Sequence, residues 1–212
     1  MTRRYSDEQI SFFANQALQD GFYVFKNHFD KTKVEEWKTA CLPLLKNQMD
    51  LEGGNTSRGS QRFYVTFPFA QPFNDAAFYE DPDILAIVEV LAGKDFVMCQ
   101  LASDTPTLGS DYQPLHRDCP PLFPELKNET PMYQLALNFP LVDVTPENGP
   151  LEIIRGTHMM TRDEGLKLLE SGKLSVESIS MKMGDVMIRD VRTLHRGTPN
   201  KIKEPRPKVV IG

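Results

Sequence analysis

An α+β fold with a β-sandwich or barrel core is what this sequence predicts, and two observations carry the prediction. Three runs of apolar residues at helical spacing, with recognisable caps, lie before Gly93. From residue 96 the texture changes to short apolar runs divided by Gly, Pro and Asn turns. Helices first and many short strands afterwards is the pattern of a segregated α+β chain. No internal repeat or linker interrupts it, so the 212 residues (1–212) are expected to form one domain. A chain of that size can bury a substantial core without disulfides or metal staples.

The elements follow in order. Ser6-Asp7-Glu8-Gln9 reads as a capping box, because a serine at the cap and a glutamine three residues on satisfy each other's backbone donors. Ile10, Phe13, Ala14, Ala17 and Leu18 then recur at helical spacing, and Gly21 is the stop. "FYVF", residues 22–25, reads as a short strand. Asp30 caps a second helix with Val34, Trp37, Cys41 and Leu44 on one face. "DLEGGNTSRGSQR", residues 50–62, has no periodicity and reads as a surface loop, either an ordinary connection or a lid over a site. Asp81-Pro82 opens a third helix, proline being favoured in the first turn, with Ile84, Leu85, Val88 and Leu91 before Gly93.

The strand region begins with "FVMCQL" (96–101) and "QPLHRD" (113–118). In "MYQLALNF" (132–139), Tyr133, Leu135, Leu137 and Phe139 alternate with Gln134, Ala136 and Asn138, a period-two pattern with one apolar and one polar face. "TPENGP" is a turn and "LEIIRG" (151–156) a strand; Thr161 to Glu164 caps a brief helix through Leu169. "SISMKM", the turn Gly184-Asp185, "VMIRD" and "KVVIG" complete the series.

Composition narrows the function. A net charge of −5 provides no electrostatic footprint for nucleic acid. No stretch approaches the roughly 20 apolar residues needed to span a bilayer, and "MTRRYSDEQISFF" lacks the apolar run of a signal peptide. Cys41, Cys99 and Cys119 cannot all pair and show no C-x-x-C spacing, which suits a reducing compartment. The expectation is a soluble, cytoplasmic protein acting on a small molecule, with its oligomeric state unread.

The chemistry is concentrated in "QPLHRDCPPLF". His116 and Asp118 stand two apart, so on a strand both side chains would face one way. The pair alone is compatible with a metal site or with a polar loop. A 2-His-1-carboxylate facial triad, which leaves open positions on iron, needs one further histidine. The chain has four histidines, and His195, at the end of "GDVMIRDVRTLH", is the candidate.

"PLHRDCP", "PENGPLEIIRGTHM", "GDVMIRDVRTLHRGTPN" and "EPRPKVVIG", in this order, resemble the successive blocks of the phytanoyl-CoA dioxygenase family. The opening "YSDEQISFFANQALQDGFYVFKNHF" is similar to that family's first helix and strand, so the likeness covers nearly the whole chain. It implies a double-stranded β-helix, the jelly-roll or cupin-like core, flanked by N-terminal helices. It also implies Fe(II), 2-oxoglutarate as cosubstrate and O2, with hydroxylation of a small-molecule C–H bond yielding succinate and CO2. Residue by residue, it implies His116, Asp118 and His195 as iron ligands and Arg206 as the partner of the far 2-oxoglutarate carboxylate. A planar guanidinium suits that task through two parallel charge-assisted hydrogen bonds.

Departures from the family are Leu115, where an aromatic residue is frequent, and Arg155, where a proline is usual. The chain also stops soon after its last strand begins, whereas family members commonly continue, which suggests that a C-terminal part is missing. Asp118 argues against halogenation, which requires the carboxylate's place for halide. The rival reading is a non-catalytic cupin-like metal-binding or sensing module. Gln100 and Gln134 are further candidates for contact with the cosubstrate, and Arg58, Arg62, Tyr64 and Arg117 for contact with substrate. His158 is expected to be structural, His28 a surface or capping residue, and Cys119 a buried small apolar group.

Overall fold

The computed structural model describes residues 2–126 and 129–212. Three longer helices stand on one side of the molecule: α1 (Asp7–Asp20), α2 (Lys31–Glu52) and α4 (Pro82–Ala92), with the single turn α3 (Ala76–Tyr79) between the last two. The Ser6 capping box forms as expected, and Gly21 ends α1 in the left-handed region at φ 84°. That glycine is required twice. A Cβ there would lie 2.5 Å from Thr193 Oγ1 and 2.7 Å from His158 Nδ1, so the end of α1 can close on the segment before His195 only without a side chain.

Three antiparallel sheets follow. The largest has six strands: β1 (Phe22–Phe25), β9 (Val186–Asp190), β6 (Leu135–Pro140), β11 (Lys208–Ile211), β5 (Leu101–Pro106) and β4 (Arg62–Thr66), in that spatial order. A second sheet orders β10 (His195–Gly197), β7 (Leu151–Ile153) and β8 (Glu177–Ile179). β2 (Asn55–Thr56) and β3 (Gly59–Ser60) form a two-stranded ribbon. A 3-10 turn, Thr157–Met159, precedes α5 (Arg162–Glu170), which Thr161 and Glu164 cap reciprocally.

The large sheet alternates strictly. Phe63, Val65, Leu137, Phe139, Ile188, Val209 and Ile211 point toward the helices, where they join Ile10, Trp37, Cys41 and Ile87 in the main core. Trp37 anchors an aromatic cluster, its ring 4.4 Å from Phe78 and 5.5 Å from Phe139. A smaller core of Phe22, Val144, Leu151, Ile153, Met181 and Met187 lies between the two larger sheets. No described helix is long and apolar enough to cross a membrane.

Several local expectations are corrected. "QPLHRD" is not a strand: Pro114 has no N–H to contribute to a ladder, and only a single bridge at His116 pairs, with His195. Residues 96–100 precede the strand, which begins at Leu101, although Cys99 N–H still donates to Gly212 O at 2.8 Å. The stretch 50–62 is not one loop, because α2 continues to Glu52 and the β2–β3 ribbon follows. β4 was hidden at its end: Phe63 and Val65 alternate with Arg62 and Tyr64, but the charged Arg62 reads as loop.

Candidate metal centre

Backbone pairing builds the site. His116 N–H donates to His195 O at 2.9 Å, His195 N–H returns to His116 O at 3.0 Å, and Asp118 N–H reaches Val191 O at 3.0 Å. These three bonds bring together side chains far apart in sequence. Asp118 Oδ1 lies 3.5 Å from His195 Nε2 and 3.8 Å from His116 Nε2, and the two imidazoles stand 4.4 Å apart. One donor atom from each of the three residues falls within 4.8 Å of the others.

Both tautomers are set by the main chain. His116 Nδ1 lies 2.8 Å from Pro114 O, and His195 Nδ1 lies 2.9 Å from Thr193 O. A carbonyl can only accept, so Nδ1 of His116 carries the hydrogen and its Nε2 presents a lone pair. At His195 the donor Arg189 Nη1 also lies 3.3 Å from Nδ1, but the shorter carbonyl contact favours the same tautomer. Burial lowers the His195 pKa to about 4, and the Arg189 charge adds to this, so the ring is neutral at ordinary pH. Burial would raise the Asp118 pKa, but Arg189 and His195 outweigh it and hold the carboxyl well below the usual range. Arg189 Nη2 donates to Asp118 Oδ2 at 2.6 Å. One carboxylate oxygen is therefore held by Arg189, while the other faces the imidazoles. Two imidazole nitrogens and one carboxylate oxygen, with orientations fixed from behind, suit a divalent transition metal and leave positions open.

Two cavities meet at this point. One, of about 220 Å³, is polar and runs inward between the sheets, lined by Tyr64, Gln100, Asp104, Asn138, Arg189 and Lys208 among others. The second, of about 500 Å³, opens outward past Pro120, Pro121, Leu122 and Phe123 to Thr161 and Arg162 at the start of α5. His116 and Asp118 belong to both walls.

The chain belongs to the phytanoyl-CoA dioxygenase family. The family model described as Phytanoyl-CoA dioxygenase (PhyH) matches residues 17–207. Solved structures share the fold across nearly the whole chain. A structure described as the non-heme alpha ketoglutarate dependent epimerase SnoN from nogalamycin biosynthesis superposes with a TM-score of 0.74 at 20% identity, covering 97% of this chain and 83% of that one. EctD from S. alaskensis, solved with 2-oxoglutarate and 5-hydroxyectoine, gives 0.72 at 20% identity, covering 100% and 77%. The carbocyclase SnoK gives 0.68 at 19% identity, covering 98% and 84%.

The remaining expected positions divide. Gln100 and Gln134 both line the polar cavity, and Gln100 Nε2 donates to the Tyr64 hydroxyl. Arg58 also lines it, its guanidinium 4.1 Å over the Tyr64 ring. Arg62 is buried elsewhere, donating to Thr198 O at 3.0 Å and lying 3.5 Å from Asp104. Arg117 pairs with Glu129 at 2.6 Å and donates to the carbonyls of Thr157 and Met160, which leaves its guanidinium committed to the protein. Arg206 is 3% exposed, and its Nε has no hydrogen-bond partner among the described residues.

His28 is not a surface residue. It is 1% exposed, with Nε2 3.1 Å from Asp81, in a cluster where Asp83 accepts from the backbone N–H groups of Arg4 and Tyr5. Those donors, and the capping bonds Asp81 accepts from Asp83 and Ile84, make it a clasp between the N-terminus and α4. Cys119 is half-buried against the Tyr133 hydroxyl at 3.0 Å rather than enclosed in apolar packing. His158 is buried, with Nε2 2.9 Å from Leu18 O. Sequence reasoning missed Arg189, Asp104 and Lys208. The available signal was a charge within the apolar run "VMIRDV", which implies a buried polar partner.

Proposed function

We propose that this protein is an Fe(II)- and 2-oxoglutarate-dependent oxygenase that oxidises a C–H bond of a small molecule, hydroxylation being the first expectation. The single observation that carries this reading is the convergence of His116, Asp118 and His195 at the junction of a polar cavity and a more open, largely apolar one. In this reading the two larger sheets are the halves of a double-stranded β-helix, and residues 1–212 act as one domain.

His116 Nε2, His195 Nε2 and Asp118 Oδ1 would hold the iron, which supplies the activation of O2 that no amino-acid side chain provides. The chain's own residues do the rest. Arg189 restrains Asp118 to one available oxygen, which keeps coordination positions for the cosubstrate and O2. The polar cavity suits a short dicarboxylate, with amide and hydroxyl groups from Gln100, Asn138 and Tyr64 and a cation at Lys208 on its walls, and with Arg206, like Lys208, close to Asp104. Burial, reinforced by Arg62, lowers the Arg206 pKa to about 10, so this guanidinium remains charged at neutral pH. The outer cavity is the substrate's approach, and its Pro120, Pro121, Leu122 and Phe123 wall offers an apolar surface beside the triad.

Asp118 favours hydroxylation over halogenation, since the carboxylate occupies the place a halide would need and is bonded there by Arg189. The test is direct. Fe(II) and 2-oxoglutarate added anaerobically are expected to produce a visible charge-transfer band, and aerobic turnover with an accepted substrate is expected to release succinate. A protein that binds iron but shows neither band nor succinate would be the non-catalytic metal-binding module instead.

A further inference from the structure

A second group of metal-binding side chains stands where the N-terminal segment meets α4, and it shares no residue with the triad. His28, which follows β1, and Asp81 and Asp83, at the start of α4, each bring one donor atom within 4.8 Å of the others. Their side chains are 0%, 6% and 1% exposed. The His28 ring is held among Tyr5, Phe25 and Phe29, with ring centroids 5.3–6.0 Å away. Neither of its nitrogens has a hydrogen-bond partner among the described residues. Nε2 faces the carboxylates, 3.1 Å from Asp81 Oδ1, without the geometry of a hydrogen bond. That oxygen already accepts from the N–H groups of Asp83 and Ile84 at 3.0 Å each, so its lone pairs are taken. A buried imidazole with both nitrogens unpaired is costly unless a further partner joins it.

The carboxylates are oriented from behind, as Asp118 is. The bonds to Asp81 fall on Oδ1, and among the described residues no hydrogen bond reaches its Oδ2. Asp83 accepts from Arg4 and Tyr5 N–H on Oδ1 and from Arg4 N–H alone on Oδ2. Each aspartate therefore keeps an oxygen with a lone pair to give. Two negative charges are buried here, and the permanent cation within ion-pair distance, among the described residues, is Arg4. Its side chain is half-exposed and no nearer than 3.8 Å. One imidazole nitrogen and two carboxylate oxygens are donors that zinc accepts, and a dication would neutralise both charges while binding the unpaired Nε2.

We propose that His28, Asp81 and Asp83 form a second, structural cation site, which takes zinc or a similar divalent transition ion. The ion ties the segment after β1 to the start of α4 and, through the Asp83 bonds to Arg4 and Tyr5, fastens the N-terminus. Arg4 moves toward solvent to admit it, and a water fills the fourth position of a tetrahedral set. The site does not depend on the oxygenase reading.

Exposure separates the two sites in the test. The His116 and Asp118 side chains are 35% and 36% exposed, so a chelator can strip the triad in the folded protein. The enclosed cluster has to load during folding and release on unfolding. Protein produced in zinc-supplemented medium is treated with EDTA, desalted and assayed for zinc. Wild type is expected to retain about one zinc per chain, set free only when guanidinium unfolds it. Asp118→Ala is expected to retain the same zinc. His28→Gln and Asp83→Asn are expected to retain none, and zinc supplied during production should raise the thermal midpoint of wild type but not of these variants. A wild-type protein without zinc and with an unchanged midpoint overturns the proposal, whether or not the variants fold, and leaves an ion pair between protonated His28 and Asp81. Zinc that persists in both His28→Gln and Asp83→Asn, or that disappears in Asp118→Ala, places the ion elsewhere and overturns it equally.

Discussion

The two faces of the six-stranded sheet use the same strands for opposite purposes. Along β6, Leu137 and Phe139 enter the helix-side core, while Ala136 and Asn138 line the polar cavity; along β9, Ile188 faces the helices and Arg189 the metal triad. β11 repeats this with Val209 and Ile211 against Lys208 and Val210. The helix face buries carbon against carbon, so its contribution depends on volume and shape. On the cavity face lie charged groups, among them Asp104, Asp118, Arg189 and Lys208. Stability should therefore be lost mainly through one face and function through the other.

Asp118→Ala should show the greatest functional loss. It removes the one carboxylate of the triad and leaves Arg189 without its partner, so metal-dependent succinate release should fall to background. Cobalt(II) titration followed by its visible spectrum would check the metal site independently of turnover. Trp37→Ala, on the opposite face, is expected to cost about 3–5 kcal/mol, the usual range for emptying a large aromatic site. Urea unfolding measures that loss, while activity per folded molecule should be unchanged. A comparable loss of activity per folded molecule would show that the two faces are not separable.

Arg189→Met sharpens the comparison within the cavity. Losing a group that orients a metal ligand typically weakens metal affinity by about 10- to 100-fold, and cobalt(II) binding is the measurement. The pH dependence of Lys208 is smaller and has a definite sign. Its pKa is about 8 in the folded chain and 10.5 as a free side chain. Between these values the unfolded state holds more protons, so this group makes the ligand-free protein more stable as pH rises through that window. Thermal midpoints of wild type and Lys208→Met across pH 8 to 10.5 should therefore converge as pH increases. Ser6→Ala, which removes only the α1 cap, is expected to cost about 1 kcal/mol with no change at the metal centre.

Much of the helix face was legible in advance. The Ser6 and Thr161 capping boxes, the Asp30 and Asp81 caps and the alternation in "MYQLALNF" all correspond to observed elements. These signals arise from contacts a few residues apart, which a linear reading can register. The strand expected at "QPLHRD" did not form, yet His116 and Asp118 still meet His195 through isolated backbone pairing. The candidate ligands were readable because few side chains bind such a metal, whereas the backbone that brings them together was not.

From the sequence alone came the class of fold, the helix ends, the apolar stripes and, through resemblance, the three candidate ligands. Tertiary structure alone decided that Arg189 grips Asp118, that Lys208 lines the polar cavity, and that His28 is buried in a clasp. The physical reason is range. Caps and periodicity act over one or two turns, while the charge on a cavity wall depends on which strands lie side by side, here β9-β6-β11-β5-β4. That order is set by packing the entire sheet against its helices.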